Sequence, residues 1–207
     1  MNSLLTHLAV TARNRVLNRF SAETVRLRNG KTVTIRAARA GDEEAVDRMH
    51  DRLSPSSLYY RYLSPFKPRR EDTHRWCGIN RREGGSIVAV SPEGEIVGFA
   101  CFVKEAGGAA EPGILVEDGY QGLGLGAILW EQLIRTAKKR GVSVFTAMVH
   151  PGNDKVMGLI HRFPHPVIRQ PDRDVVVLKV YLDEERFFEE NLFRFSGSGL
   201  TGGMSLH

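Results

Sequence analysis

The sequence predicts a single α/β domain. Three observations carry that expectation. Short runs rich in β-branched residues, such as Lys31–Ala38, Gly85–Val90 and Glu95–Lys104, are bounded by turn-forming clusters. Between them lie stretches whose apolar residues recur three and four apart, the longest over Gly124–Arg140. A glycine-rich turn joins a short apolar strand to that long helix. With 207 residues and 42% hydrophobic side chains, the chain is large enough for one domain with a sizeable core.

Taken in order, residues 1–30 read as an N-terminal extension, an amphipathic basic helix added to the domain. Residues 1–20 contain no acid and set Leu4, Leu5, Leu8, Val16 and Leu17 among arginines. A transit peptide has such a composition, and so does a docking helix. The domain itself is expected over 31–185. In its first strand, Lys31–Ala38, Val33 and Ile35 alternate with threonines. A helix follows from Asp42, a candidate N-cap, with Ala45, Val46, Met49 and Leu53 on one face. Ser54-Pro55 stops it, and short helices are expected over Ser56–Leu63 and Glu71–Cys77. The strands Gly85–Val90 and Glu95–Lys104 flank the turn Ser91-Pro92-Glu93-Gly94. Glu105–Ala110 reads as a loop and Gly113–Val116 as a short strand. After the long helix, which Gly141 ends, come the strand Val142–Val149, the helix Asn153–Arg162 and the valine-rich strand Asp174–Leu182. Residues 186–207 read as a C-terminal tail.

Composition removes several functional classes. No apolar run approaches the roughly 20 residues of a bilayer span, so no membrane partner is expected. Cys77 and Cys101 are too few and too far apart for a disulfide framework or a C-x-x-C metal site, so no metal is expected and a reducing cytoplasm fits. The net charge of +5 is concentrated at the start. Residues 1–40 hold eight basic side chains against one acid, Glu23, and the remainder is net negative. Without aromatic interleaving these arginines do not argue for nucleic acid. Whether the chain forms a homodimer is left open.

The strongest local signal is Gln121-Gly122-Leu123-Gly124-Leu125-Gly126-Ala127, at a strand-to-helix junction. Alternating glycines let a ligand approach the backbone, and N–H groups at a helix N-terminus attract an anion. A phosphate or pyrophosphate is the expected ligand. A P-loop would need Gly-Lys-Ser/Thr, which is missing. Gly122-x-Gly124-x-x-Ala127 satisfies the dinucleotide fingerprint, but the next strand ends at Val149-His150-Pro151 without the required acid. A pyrophosphate turn of an acyl-CoA enzyme is a third reading, and the dinucleotide reading stays as a distant alternative. A ligand-free corner would waste the chain entropy of three glycines.

Gln-x-x-Gly-x-Gly, the strand before it ending in Val116 and the later strand followed by Asn153 resemble the acetyl-CoA motif of the GCN5-related N-acetyltransferases (GNAT) over residues 31–182. Within that superfamily, Leu53-Ser54-Pro55-Ser56-Ser57-x-Tyr59-x-Arg61-Tyr62 resembles the acetyltransferase domain of bacterial Pat-type protein-lysine acetyltransferases. Members of that branch often carry a cyclic-nucleotide-binding or synthetase-like domain as well.

The resemblance implies the GNAT fold, a central mixed and twisted sheet flanked by helices, with acetyl-CoA as co-substrate and an acceptor amine, a protein lysine preferred. Small-amine acetylation and a non-catalytic CoA-binding module are the alternatives. A lysine amine has a pKa near 10.4, so roughly one molecule in 10³ is neutral at pH 7 and a base is needed. By the register of the resemblance the base is Glu111, with Glu105 a weaker candidate; a solvated loop carboxylate beside Pro112 is the other reading of Glu111. Ile114, Leu115 and Val116 are implied to line the pantetheine arm, on a strand that splays from its neighbour. Gln121, Gly122, Leu123, Gly124, Leu125, Gly126 and Ala127 hold the pyrophosphate, and Asn153 contacts the cofactor arm or caps its own helix. One departure stands out: residues 153–166 lack the tyrosine that usually protonates the departing thiolate. His161 is the substitute considered for it; a plain surface histidine is the other reading. Glu117 and Asp118 are expected to turn away from the phosphate turn, as solvated charges or local caps.

Overall fold

In the computed structural model, residues 22–65 and 67–196 are described, their side chains as far as residue 192. Eight strands form one sheet: β1 (Glu23–Arg26), β2 (Thr32–Ala37), β3 (Gly84–Val90), β4 (Ile96–Lys104), β5 (Ala109–Val116), β6 (Val144–Val149), β7 (Val167–Asp172) and β8 (Val175–Tyr181). Their order is β1-β2-β3-β4-β5-β6-β8-β7. All neighbours are antiparallel except β5 and β6, so the sheet is mixed, as the resemblance implies. Six helices accompany it among the described residues: α1 (Glu43–Asp51), α2 (Pro55–Tyr62), α3 (Arg70–Cys77), α4 (Leu125–Lys138), α5 (Asp154–Ile160) and α6 (Glu184–Ser196).

The period of two along β3 and β4 sends alternate side chains to opposite faces. On one face Ile87, Ala89, Val97 and Phe102 meet Leu125, Leu129, Leu133 and Ala137 of α4, all buried. On the other, Val88, Phe99 and Leu115 meet Val46 and Met49 of α1, Leu58 of α2 and Cys77 of α3. Each fully buried aliphatic side chain contributes about 1.5–3 kcal/mol. These two layers make the central strands rigid, and β5 carries that rigidity to the site.

Several elements differ from the sequence reading. Residues 23–30, assigned to a helical extension, form β1 and a tight turn onto β2, with Glu23 opposite Ile35 and Arg26 opposite Thr32. Leu27 from this hairpin is 4% exposed and belongs to the core. The rest of the expected N-terminal helix lies outside the described residues. Asp42 stands at the N-cap of α1 without capping it. Its carboxylate accepts two bonds from Arg36, at 2.7 and 2.8 Å, and one from the Arg39 N–H at 2.8 Å. The strand foreseen at Gly113–Val116 begins four residues earlier, at Ala109, because Ala109 and Ala110 pair with Val144 and Phe145. Strand β7 has no counterpart in the sequence reading, since Pro164, Pro166 and Pro171 mask its pattern. The first residues of the expected tail, 186–196, continue α6. Tyr181 donates to Glu190 of that helix at 2.8 Å.

Candidate active site

The parallel pairing of β5 and β6 covers only Ala109–Val144 and Ala110–Phe145. Beyond Ala110 the two strands separate, and the edge of β5 facing β6 has no strand partner. Pro112, which has no N–H to give a ladder, stands just past the last pair. A cavity of about 590 Å³ fills the cleft. Pro112–Val116 form one wall, and Phe145 with Ala147–Val149 form the other. The glycine turn closes one end. α2 contributes Ser56, Ser57, Tyr60 and Arg61 to the rim, and α5 contributes Asp154, Lys155 and Val156. This is the splayed strand that the resemblance implies.

At the turn, Gly122 and Gly124 have φ of +72° and +94°, a region that side chains with a Cβ disfavour. Their conformation leads directly into α4. Among the described residues, no backbone carbonyl pairs with the N–H groups of Gly122, Leu123, Gly124, Leu125 or Gly126. Ala127 and Ile128 are the first to bond, both to the Gly124 carbonyl. Unpaired N–H groups, a helix N-terminus and open space over Gly122 and Gly126 suit a pyrophosphate. The apolar β5 wall of the cleft suits a pantetheine arm. The residues present therefore fit acetyl-CoA.

Gln121 locks the turn. Its Nε2 donates to the Val116 carbonyl at 2.9 Å and to the Ser57 hydroxyl at 3.0 Å, while its Oε1 accepts from Lys155. Asp118 binds the start of α2, accepting from the Ser54 N–H, the Ser54 hydroxyl and the Ser57 hydroxyl at 2.8–2.9 Å. Partial burial pushes the Asp118 carboxyl up, but the bonds from the Ser54 N–H and the two hydroxyls outweigh it and hold the group below the usual carboxylate range. Glu117 pairs with Arg52 at 2.9 Å. Glu117 thus faces Arg52, whereas Asp118 stays at the foot of the phosphate turn, its Oδ1 also accepting from Gln121 Nε2 at 3.4 Å, and is not the outward, solvated charge that the sequence suggests.

On the α2 side, Arg61 lies over Tyr62 and Trp76, 4.9 and 5.9 Å from their ring centroids, and the two rings stack on each other. Its guanidinium covers Gly113 so closely that a Cβ there would collide with it. Behind it, buried His50 bonds the Tyr62 hydroxyl at 2.6 Å and the Val46 carbonyl at 2.8 Å. Tyr59, Tyr60 and His150 form a triangle of rings at the rim, with centroids 5.7–6.2 Å apart.

The structure brings together most of the residues implied by the sequence. Ile114, Leu115, Val116, Gln121, Gly122, Gly124, Gly126, Ala127 and Asn153 all border the cavity. Leu123 and Leu125 do not. Leu125 is fully buried under the sheet, and Leu123 packs beside the same core. Only their backbone can serve a ligand. Asn153 is 6% exposed and caps α5, accepting from the Val156 N–H at 3.2 Å, so its capping role accompanies its place in the wall. Glu111 is exposed on β5, opposite Val103, one residue before the first lining residue. His161 takes the position of a surface histidine, not that of a thiolate acid in the cleft. It follows the last turn of α5, exposed, with its ring against Arg169, and it does not border the cavity. The α5 periodicity points Leu159 and Ile160 inward instead. Sequence reasoning missed Arg28, Trp130, Met148, Lys155 and Arg162, which all border the cavity. Only the position of Lys155, two residues after Asn153, offered any signal.

A cleft between splayed parallel strands, closed by a glycine turn on a helix N-terminus, defines an acyl-CoA-binding protein. The sequence model of the acetyltransferase (GNAT) family matches residues 47–163. The chain belongs to that family and is an N-acetyltransferase using acetyl-CoA. It is 30% identical over 161 residues to an acetyltransferase of Pseudomonas aeruginosa, covering 73% of this chain and 84% of that one. It is also 30% identical over 174 residues to the acetyltransferase Pat of Mycolicibacterium smegmatis. That match covers 82% of this chain but 51% of Pat, so the chain spans about half of that relative's length. In three dimensions it resembles the GNAT domain of S. lividans PAT with a TM-score of 0.71, at 26% identity, over 77% of this chain and 96% of that one. Among the described residues, no helix is long and apolar enough to cross a membrane.

Proposed function

We propose that this N-acetyltransferase acts on the ε-amine of a lysine in a protein, in the cytoplasm. The carrying observation is the mouth of the cleft. It is built by Ser54–Tyr62, the segment that resembles the Pat-type branch, and it is tied to the glycine turn through Asp118 and Gln121. It opens beside the exposed rings of Tyr59 and Tyr60 and the exposed side chain of Met148. Such a rim admits one side chain from a large partner instead of enclosing a small molecule. The cytoplasmic location is supported by two buried free thiols, Cys77 and Cys101. Burial raises both, the Cys77 thiol to about 12, which leaves them protonated and inert.

Acetyl-CoA supplies the acetyl group as a thioester. The protein's own part is to bind, orient and move protons. The unpaired N–H groups of the glycine turn anchor the phosphate end, and the free edge of β5 aligns the arm beside Pro112–Val116. Glu111, just outside the wall, takes the proton from the acceptor ammonium through one water; the neutral amine then attacks the thioester carbonyl, the C–S bond breaks, and the departing CoA thiolate takes its proton from solvent. His161 has no place in that path. The test is a mass-spectrometric acetylation screen with acetyl-CoA against a protein pool and a small-amine pool. Lysine acetylation in the protein pool is expected. Acetylation confined to the small amines would overturn the proposed acceptor.

A further inference from the structure

Resting on acetyl-CoA in this cleft, the charge balance of the phosphate turn points to two cations from distant segments. The cofactor carries a pyrophosphate and a 3′-phosphate, but the turn has no cation of its own. From Glu105 to Ile134 the chain contains no Lys or Arg, whereas Glu105, Glu111, Glu117, Asp118 and Glu131 are acidic. Neutral N–H groups and a helix dipole would have to hold a polyanion inside a net-negative stretch.

The fold brings the missing charge. Arg28, in the β1–β2 turn, donates its backbone N–H to the Leu123 carbonyl at 3.1 Å, which seats the hairpin on the glycine turn. Its side chain then lies beside Gly124, with Nε 3.8 Å from where a Cβ would stand. On the opposite side Lys155, in the first turn of α5, donates to Gln121 Oε1. Both border the cavity. Among the described residues neither forms an ion pair with a carboxylate. Of the nearby acids, Glu117 is held by Arg52, and Asp118 is bonded by Ser54 and Ser57, with Lys155 close enough to help lower its pKa without pairing directly. The other cations on the wall are less suited. Arg61 is stacked on Tyr62 and Trp76, and Arg162 lies beyond the C-terminal end of α5.

We propose that Arg28 and Lys155 clamp the cofactor's pyrophosphate from the two sides of the glycine turn. The guanidinium fork can take two phosphate oxygens, while the ammonium acts as a point charge. On binding, Lys155 exchanges its neutral amide partner for an anion. The hairpin carrying Arg28 is thereby part of the cofactor site.

The experiment is calorimetric titration of the full chain, its Arg28→Gln, Arg28→Lys and Lys155→Gln variants, with CoA and with dephospho-CoA, at two salt concentrations. The unliganded variants should melt as the wild type does. Each Gln variant should bind both ligands about ten- to a hundredfold more weakly, with a shallower salt dependence. Arg28→Lys should recover part of the loss. Unchanged affinity for both ligands in the Gln variants would overturn the clamp while leaving the acetyl-CoA site intact. A loss seen with CoA but not with dephospho-CoA would overturn the pyrophosphate assignment in favour of the 3′-phosphate. Failure of the wild type to bind either ligand would remove the acetyl-CoA reading of the cleft, and the clamp with it.

Discussion

Asp118 takes both polar groups of Ser54: the hydroxyl donates to Oδ1 at 2.8 Å and the backbone N–H to Oδ2 at 2.9 Å. One carboxylate therefore joins the segment before the glycine turn to the N-terminus of α2, where a negative charge is favoured. Asp118→Ala should lower stability by about 1 kcal/mol, a modest value because the side chain is exposed to solvent. Its folded pKa lies below the ordinary 3.8, so its contribution is complete above that value and is lost as the pH falls through the folded pKa. Denaturant unfolding of both proteins at neutral pH and near pH 3 checks this. The difference between them should shrink in acid.

The turn itself is tested at Gly124. A Leu there must adopt φ near +94° and would stand against Arg28. Affinity for acetyl-CoA should fall by well over tenfold, since strain of about 1–3 kcal/mol adds to the obstruction of the N–H groups. Isothermal titration with wild-type affinity in Gly124→Leu would contradict the placement of the pyrophosphate.

Glu111→Gln keeps the shape of β5 and removes the proposed base. Single-turnover acetylation should slow on the order of 10²–10⁴-fold, with cofactor affinity nearly unchanged and the acidic limb of the pH–rate profile lost. His161→Ala should leave that rate close to wild type, because the imidazole faces Arg169 outside the cleft. A large loss in the His161 variant, or none in the Glu111 variant, would reverse these assignments.

Deleting residues 1–30 separates the sequence reading from the structure. As an independent extension the segment would be dispensable. In the fold it supplies β1, the buried Leu27 and Arg28, and its loss uncovers the edge of β2. The deletion should cost at least about 2 kcal/mol, in the range of a lost buried leucine. Chemical denaturation compared with a deletion of residues 1–21 isolates the hairpin. Equal stability of the two would show that β1 contributes nothing.

His50 predicts a second pH effect. Burial lowers its pKa below 6.5, opposed in part by its bond to the Val46 carbonyl. The unfolded chain therefore binds this proton first as pH falls. Stability is complete above about 6.5 and declines between that value and the lower folded pKa. His50→Gln should flatten the decline measured by thermal unfolding between pH 7 and pH 5. An unchanged slope would assign it elsewhere, for example to His165, whose pKa burial also lowers.

Local chemistry accounts for what the sequence by itself determined. The α4 stripe, the alternation in β2–β4, the break between two helices at Ser54-Pro55 and the glycine turn each depend on neighbours within a few residues. The Gln-x-x-Gly-x-Gly run could therefore be read as a phosphate site, and Asn153 as a cap, without any tertiary information. Long-range pairing hid the rest. Residues 23–26 become a strand because β2 offers a free edge, although their surroundings in sequence are basic and helix-like. Whether a histidine on α5 faces the cleft or solvent turns on one residue of register, a rotation of about 100° per position, and the sheet decides it in favour of Ile160. The counter-charge of the phosphate turn comes from Arg28 and Lys155, far apart along the chain, and folding alone brings them to the two sides of one turn.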